Sequence, residues 1–379
     1  MNIGVDIRPL MVKNKTGIGE YTLELLSAIF KEDKINEYYL FSNSIKKLKT
    51  NLKIWNQPNV HYIHSPYPNK LLNFFLAFGF INIDQLLPTK IDCWYSPNMN
   101  FLSLGNIGKY ILTIHDISFE IFPEFYTLKQ LMWHKIINPK KQCQLANIII
   151  VPSENTKRDL IEHYKIDKDK IKVIYPGLAT KFDLSNNELT LQKSIVQKKY
   201  DLPENFIIFL GSIEPRKNIF SLIQAFEKLP TKLTEKYHLI IIGGSGWKNK
   251  IIYQIAERSK LHKQIKFLGF IADADKPALL SLSKLFIFPS FYEGFGFPVI
   301  EAMKMSVPVI TSNRSSLPEI SGNNAILINP NNISDLKNSI QSLLENDNLY
   351  QEYKKRGFET ASKYAWENSA KAHLSIFNN

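Results

Sequence analysis

Two carboxylates, Glu293 and Glu301, stand eight positions apart in the stretch SFYEGFGFPVIEAM, around Gly294, Gly296 and Pro298. The apolar run KLFIFP ahead of it reads as a buried strand and FPVIEAM behind it as the first turn of a helix, the wiring of an anion-binding loop. Pro298 suits the first helical position, which turns the amides from Phe295 to Val299 toward a ligand with the positive end of the helix dipole behind them. The backbone then meets the anion, and the two acids are left to accept hydrogen bonds from vicinal hydroxyls such as a ribose or a hexose offers. Further upstream, FLGSIEPRKNIFSLIQAF places Arg216 and Lys217 between a strand and a helix, a guanidinium and an ammonium suited to a diphosphate. In ILTIHDISFE, His115 and Asp116 fall where a buried strand ends, His115 to polarise or position a substrate group and Asp116 to orient the loop or the imidazole. Gly17 and Gly19, in VKNKTGIGEYTLELL, open a helix whose first amides can meet an anion or a sugar oxygen.

Other stretches carry less. Asp273 and Asp275 in GFIADADKP mimic a metal-binding D-x-D, but Pro277 behind them reads as a helix start capped by Asp275. The glycines of IIIGGSG read as a tight strand exit, and no Cys/His cluster has zinc spacing.

The elements that must position these groups alternate. Continuous apolar runs (NIGVDI, YILTIHD, NIIIVPS, NFIIFLGS, YHLIIIGGSG, KLFIFPS, VPVITS) are followed in most cases by helical periodicity, which predicts parallel sheets covered on both faces. Two doubly wound α/β domains follow: residues 1–178, a polar and weakly patterned linker over 179–203, and 204–364. The helical pattern over 365–379, with no strand after it, is expected to pack back on the first domain.

Composition narrows the function classes. The net charge of +12 divides as +6 for residues 1–178 and +6 for the rest, so no half is a dedicated nucleic-acid domain; the excess suits a diphosphate ligand or anionic lipid headgroups. With Cys93 and Cys143 alone, stability does not rest on disulfides, and a cytoplasmic setting is expected, with a peripheral position on the inner membrane face as the extension. The N-terminal stretch has no basic segment leading into an apolar one, so no secretory signal is expected. The run LLNFFLAFGFI, Leu71 to Ile81, is about half the ~20 residues a membrane span needs; it is either a buried helix or an apolar surface that touches lipid.

The E-x7-E of SFYEGFGFPVIEAM, together with EPRKN, HDISF, VPSENTKRDL, VIYPG and the Gly17–Gly19 loop, resembles the retaining glycosyltransferases of family 4 (group 1). It is similar in EPRKN and HDISF to a subgroup that transfers mannose or rhamnose in bacterial surface polysaccharides. The resemblance covers nearly the whole chain and implies the GT-B fold, two Rossmann-like domains facing across a cleft. It implies transfer of a hexose, mannose from GDP-mannose first, from a nucleotide diphosphate sugar to a glycan or lipid-linked glycan hydroxyl with retention and without a metal. Glu301 would then bind the ribose, Glu293 the donor sugar, Gly294, Phe295 and Gly296 would offer amides, and Arg216 and Lys217 would neutralise the departing diphosphate. His115 would stand at the donor sugar and Gly17 to Gly19 near phosphates and acceptor. Many members carry Arg directly after the glycine that ends the second domain's first strand; here Ser212 follows Gly211, and Arg216 is expected to supply the cation. A UDP- or dTDP-sugar transferase, a sugar-nucleotide epimerase and a non-catalytic membrane-associated scaffold are the alternatives.

Overall fold

The computed structural model describes residues 1–11, 17–45 and 54–378. It divides into two compact units: unit 1 comprises residues 1–117, 128–177 and 365–379, and unit 2 comprises 118–127 and 178–364.

Unit 1 holds a seven-stranded parallel sheet of β1 (Asn2–Asp6), β2 (Glu37–Asn43), β3 (Val60–Ser65), β4 (Cys93–Ser96), β5 (Lys109–Thr113), β6 (Ile148–Val151) and β7 (Ile171–Val173), in the order β3-β2-β1-β4-β5-β6-β7. Unit 2 holds a six-stranded parallel sheet of β8 (Phe206–Leu210), β9 (His238–Ile242), β10 (Ile265–Gly269), β11 (Leu285–Phe288), β12 (Val309–Ser312) and β13 (Ile326–Ile328), in the order β10-β9-β8-β11-β12-β13. Every residue of β8 and β11 is buried, as expected of central strands covered by helices on both faces. In each sheet the order reverses once, between β1 and β4 and between β8 and β11. Ligands of open parallel sheets bind at that reversal, beyond the carboxyl ends of the strands. In unit 2, therefore, the loops that follow β8 and β11 are the ones that matter.

Two expectations about organisation are corrected. Residues 179–203 are not a linker: Ser185 caps a helix over Asn186–Lys199 through a capping box with Glu188, and Leu178, Phe182, Val196 and Leu202 lie in the core of unit 2. Residues 118–127, which lie within the stretch expected to form the first domain, belong to unit 2. The helix Trp366–Asn378 belongs to unit 1 and lies on Gly17–Glu32, where Trp366 meets Tyr21 edge to face at 5.5 Å.

The apolar stretch from Leu71 to Ile81 divides. In the helix Asn69–Ala77, Leu72 and Leu76 are buried, while Leu71 and Phe74, and beyond the helix Phe78 and Phe80, are exposed.

Candidate active site

Strand β8 ends in the sequence Gly-Ser-Ile-Glu-Pro-Arg-Lys-Asn, and Pro215–Lys217 form one turn of 3-10 helix. This turn buries Lys217 under the exit of β11. Its Nζ donates to Glu293 Oε1 at 2.6 Å and lies 5.0 Å from the centre of the Phe288 ring. Arg216 Nη1 donates to Glu293 Oε2 at 3.1 Å and to the Tyr292 carbonyl at 2.7 Å, while its Nε and Nη2 both donate to Glu214 Oε1. Asn218 completes the junction by donating to the Pro289 and Pro330 carbonyls. The loops after the two strands at the reversal are thus joined into one cluster.

The electrostatics of this cluster are balanced. Burial and the adjacent Arg216 guanidinium push the Lys217 pKa down, against the pull of Glu293 and Glu214. For Glu293, burial acts to raise the pKa, but Lys217 and then Arg216 outweigh it and hold the carboxyl below the ordinary range. Two cations and two carboxylates cancel formally. Sequence reasoning gave the cations to a phosphate and Glu293 to hydroxyls; the structure pairs them with each other. Glu214, fully buried, was not singled out, although its place two residues before Arg216 was legible.

The loop after β11 is held from below by serines. Ser315 Oγ accepts from the Glu293 amide at 2.9 Å, and Ser316 Oγ lies 2.9 Å and 2.8 Å from the Glu293 and Phe295 carbonyls, to one of which it donates. Gly296 is the N-cap of the helix Phe297–Lys304 with φ 108° and ψ 47°, and a Cβ there would lie 2.8 Å from Leu317 Cδ2, so only glycine fits. Pro298 takes the second helical position, not the first, and the Val299 amide bonds back to Gly296 O, so it is not turned outward. Glu301 lies buried in the next turn of that helix, and Phe295 is buried against Tyr364.

In unit 1, His115 follows β5. Its Nε2 lies 2.9 Å from the Pro97 carbonyl, which can only accept, so the ring is protonated there. Burial pushes its pKa down, against that bond and Asp116, which makes the neutral imidazole the resting form. The ring is oriented by Pro97 and by Tyr21, whose ring meets the imidazole edge to face at 4.7 Å. Tyr21 lies on the helix Gly17–Glu32, of which Gly17 is the first residue and Gly19 a buried one; among the described residues beyond its own helix backbone and chain neighbours, no atom lies within 4 Å of a Cβ built on Gly17. The preceding residues 12–16 of that loop lie outside the described residues.

Asp275 stands at the N-cap of the helix Lys276–Leu282, but its side chain caps nothing. It accepts instead from Lys199 Nζ at 2.7 Å and Tyr200 OH at 2.6 Å, and Asp273 pairs with Lys276 at 2.9 Å. Among the described residues no three His, Cys, Asp or Glu side chains could hold a metal together.

Comparison with known proteins yields consistent matches. Residues 17–182 match the model of Glycosyltransferase Family 4 and residues 192–360 that of Glycosyl transferases group 1, together most of the chain. The chain is 29% identical over 374 residues to the O-antigen chain mannosyltransferase B of Escherichia coli, covering 96% of both. It is 33% identical over 257 residues to the serotype-specific mannosyltransferase WbdA of Escherichia coli, which spans 67% of this chain and 30% of that longer protein. Among solved structures, sucrose-phosphate synthase from Thermosynechococcus elongatus superposes with a TM-score of 0.75 at 18% identity, over 100% of this chain and 98% of that one. Anabaena HepE, crystallised with UDP-glucose, gives 0.74 at 19%, over 100% and 99%.

Proposed function

The chain belongs to the group 1 and family 4 glycosyltransferases of GT-B fold, and from that premise we propose that it transfers mannose from GDP-mannose to a hydroxyl of a growing bacterial surface glycan, with retention and without a metal. The observation that carries the reading is the buried Arg216–Lys217–Glu293 cluster beside the N-terminus of the helix Phe297–Lys304, at the sheet reversal of unit 2. The likeness to O-antigen mannosyltransferases along 96% of the chain supports both the sugar and the glycan acceptor.

The reaction breaks the bond between the anomeric carbon and the diphosphate and forms one to the acceptor oxygen, with the acceptor proton passing to the departing diphosphate. Charge grows on the leaving group, so preorganised cations and a helix N-terminus stabilise the transition state more than any other available term. In this reading Lys217 and Arg216 turn to the diphosphate and Glu293, released from them, accepts from sugar hydroxyls. Glu301 accepts from the ribose, and the neutral His115 presents Nδ1 as an acceptor to a sugar hydroxyl.

The acceptor side falls to unit 1, and its surface suits a lipid-linked glycan at an anionic membrane. Leu128, Met132 and Ile136 are exposed at intervals of four along the helix Leu128–Ile137, beside Trp133 and the exposed Lys129, Lys135, Lys140 and Lys141. The Trp133 ring lies 6.2 Å from that of Phe101, and elsewhere on the same unit Phe74, Phe78 and Phe80 are exposed and lie against one another. Among the described residues no helix is long and apolar enough to cross a membrane.

Thermal shift with GDP, UDP and dTDP, followed by transfer from the matching mannose donor with and without EDTA, tests the proposal. GDP alone should raise the melting temperature, transfer should survive EDTA, and NMR of the product should show the donor's anomeric configuration. An inverted linkage, or stabilisation by UDP alone, overturns retention or the donor respectively.

A further inference from the structure

Within unit 1 the backbone of His115 is held by Thr156, whose Oγ1 donates to the His115 carbonyl at 3.4 Å, and its ring by Nε2 on the Pro97 carbonyl. That second bond limits ring rotation weakly. Nε2 lies close to the axis about which an imidazole turns, and the torsion is intrinsically broad. Nδ1, the acceptor that the proposed reaction uses, lies off the axis and swings with the ring. The contact that blocks the swing is the Tyr21 ring, 4.7 Å away at 86° between planes, a favoured aromatic geometry.

Tyr21 is itself fixed from the helix Trp366–Asn378. Trp366 and His373 stand two turns apart on one face of that helix, Trp366 with its ring edge to face against Tyr21 at 5.5 Å and His373 with Nε2 3.4 Å from the Tyr21 hydroxyl. The proton positions follow from the partners. His373 Nδ1 lies 2.7 Å from the Ser369 carbonyl, which can only accept, and burial keeps the ring neutral with its pKa lowered to about 4, so Nε2 is left as an acceptor. Burial pushes the Tyr21 pKa up to about 12, so its hydroxyl keeps the proton it donates. Tyr95 stands at the same distance from His373 Nε2 but has a nearer partner in Thr113 Oγ1 at 3.0 Å.

We infer that Tyr21 is the positioning residue that aims Nδ1 of His115, and that Trp366 and His373 fix Tyr21 in turn; the inference rests on the reading of His115 as the acceptor of a sugar hydroxyl. Tyr21 is 1% exposed and His373 fully buried, so both act only through His115, which is half-buried. A misplacement of about 1 Å in a catalytic group costs on the order of 100-fold in rate.

The test compares wild type, Tyr21→Leu, Tyr21→Phe, His373→Leu and His373→Gln by steady-state kinetics, GDP affinity and 15N NMR of the His115 ring. Tyr21→Leu should lower kcat about 10- to 100-fold with GDP affinity unchanged within about twofold. In the same variant the His115 Nε2 proton should exchange with water about 10-fold faster. Tyr21→Phe, which keeps the ring and loses the hydroxyl, should fall between. His373→Leu, which takes away the acceptor of that hydroxyl, should match Tyr21→Phe, and His373→Gln, whose Oε1 can accept, should recover most of the loss. In a His115→Ala background Tyr21→Leu should change kcat by less than about twofold, since no imidazole is left to aim. Unchanged kcat in Tyr21→Leu, an unmoved ring proton, a parallel fall in GDP affinity, or equal losses with and without the imidazole overturns the inference. If Tyr21→Leu does not fold, the match between Tyr21→Phe and His373→Leu and the recovery in His373→Gln decide it. Full transfer by His115→Ala sinks the reading of His115 instead, and the ring proton then still decides whether Tyr21 holds the imidazole.

Discussion

Lys217 and Glu293 bury their charges against each other at 2.6 Å, with side-chain exposures of 10% and 9%, so their removal separates stability from catalysis. In Lys217→Met the Glu293 carboxylate keeps Arg216 at 3.1 Å but loses its shorter partner. Breaking one side of a buried pair costs roughly 3–5 kcal/mol, and the surviving Arg216 contact puts the cost near about 3 kcal/mol. Glu293→Gln leaves Lys217 without its carboxylate beside Arg216, and a similar cost of about 3 kcal/mol follows. The double variant removes both desolvation penalties together and leaves the Arg216–Glu214 pair at 2.8 Å intact. It should cost about 3–4 kcal/mol where additivity gives about 6, a coupling of about 2–3 kcal/mol.

Exchange of the β8 amides, which opens only with unit 2, reads these values directly. Transfer should fall on the order of 100-fold or more in all three variants, since the double variant regains stability but has no ammonium to meet the leaving group. Costs that add within about 0.5 kcal/mol would refute the pairing as an energetic unit. Recovery of transfer in the double variant would refute the role of Lys217.

Three further outcomes are expected. His373 is fully buried, with Nε2 3.4 Å from the hydroxyls of Tyr21 and Tyr95, and burial lowers its pKa to about 4. Because the folded pKa lies below the ordinary 6.5, its stabilisation is complete above pH 6.5 and is lost as pH falls toward 4, about 3 kcal/mol over that window. The stability slope of unit 1 between pH 7 and 5 should flatten in His373→Gln, and an unchanged slope would place the effect elsewhere. Gly296→Ala should lower the stability of unit 2 by about 2–3 kcal/mol in a urea melt, from strain at φ 108° and the contact with Leu317; a loss under about 0.5 kcal/mol would contradict the geometry. Vesicles containing anionic lipid should float the protein at low salt, and Met132→Glu with Ile136→Glu should abolish this; equal flotation of the variant excludes the face on Leu128–Ile137.

Central strands were legible because residues buried on both faces leave uninterrupted apolar runs, as in FIIFL and LFIF. Helix Asn186–Lys199 was not, because Val196 is its one fully buried side chain, and a nearly all-polar helix carries little periodic signal. The place of Ser118–Thr127 in unit 2 was not legible for a different reason. Phe122, Phe125 and Tyr126 find their partners more than a hundred residues away, at Trp247, Phe291 and Tyr292, and no local pattern records such pairings. In the candidate site the residue types and loops were readable from Arg216, Lys217, Glu293 and Gly296, but not their mutual pairing, which depends on β8 and β11 being neighbours.

That pairing changes what the donor must do in the proposed reaction. A diphosphate that recruits Lys217 and Arg216 takes them from Glu293, and the carboxylate then stays unpaired unless sugar hydroxyls replace them. A nucleotide sugar supplies both replacements, whereas GDP supplies only the phosphates. Glu293 therefore opposes GDP more than it opposes GDP-mannose, which favours product release after transfer. Neutralising it should tighten GDP by about 10-fold, or about 1.4 kcal/mol, a small part of what a charge pair at this distance is worth near a protein surface. The same Glu293→Gln variant should bind GDP-mannose no better than wild type, because the hydroxyls lose a charged acceptor. Calorimetric titration of both ligands into wild type and Glu293→Gln reads the two affinities, and weaker GDP binding by the variant would show that Glu293 orders the cations for the diphosphate rather than competing with it.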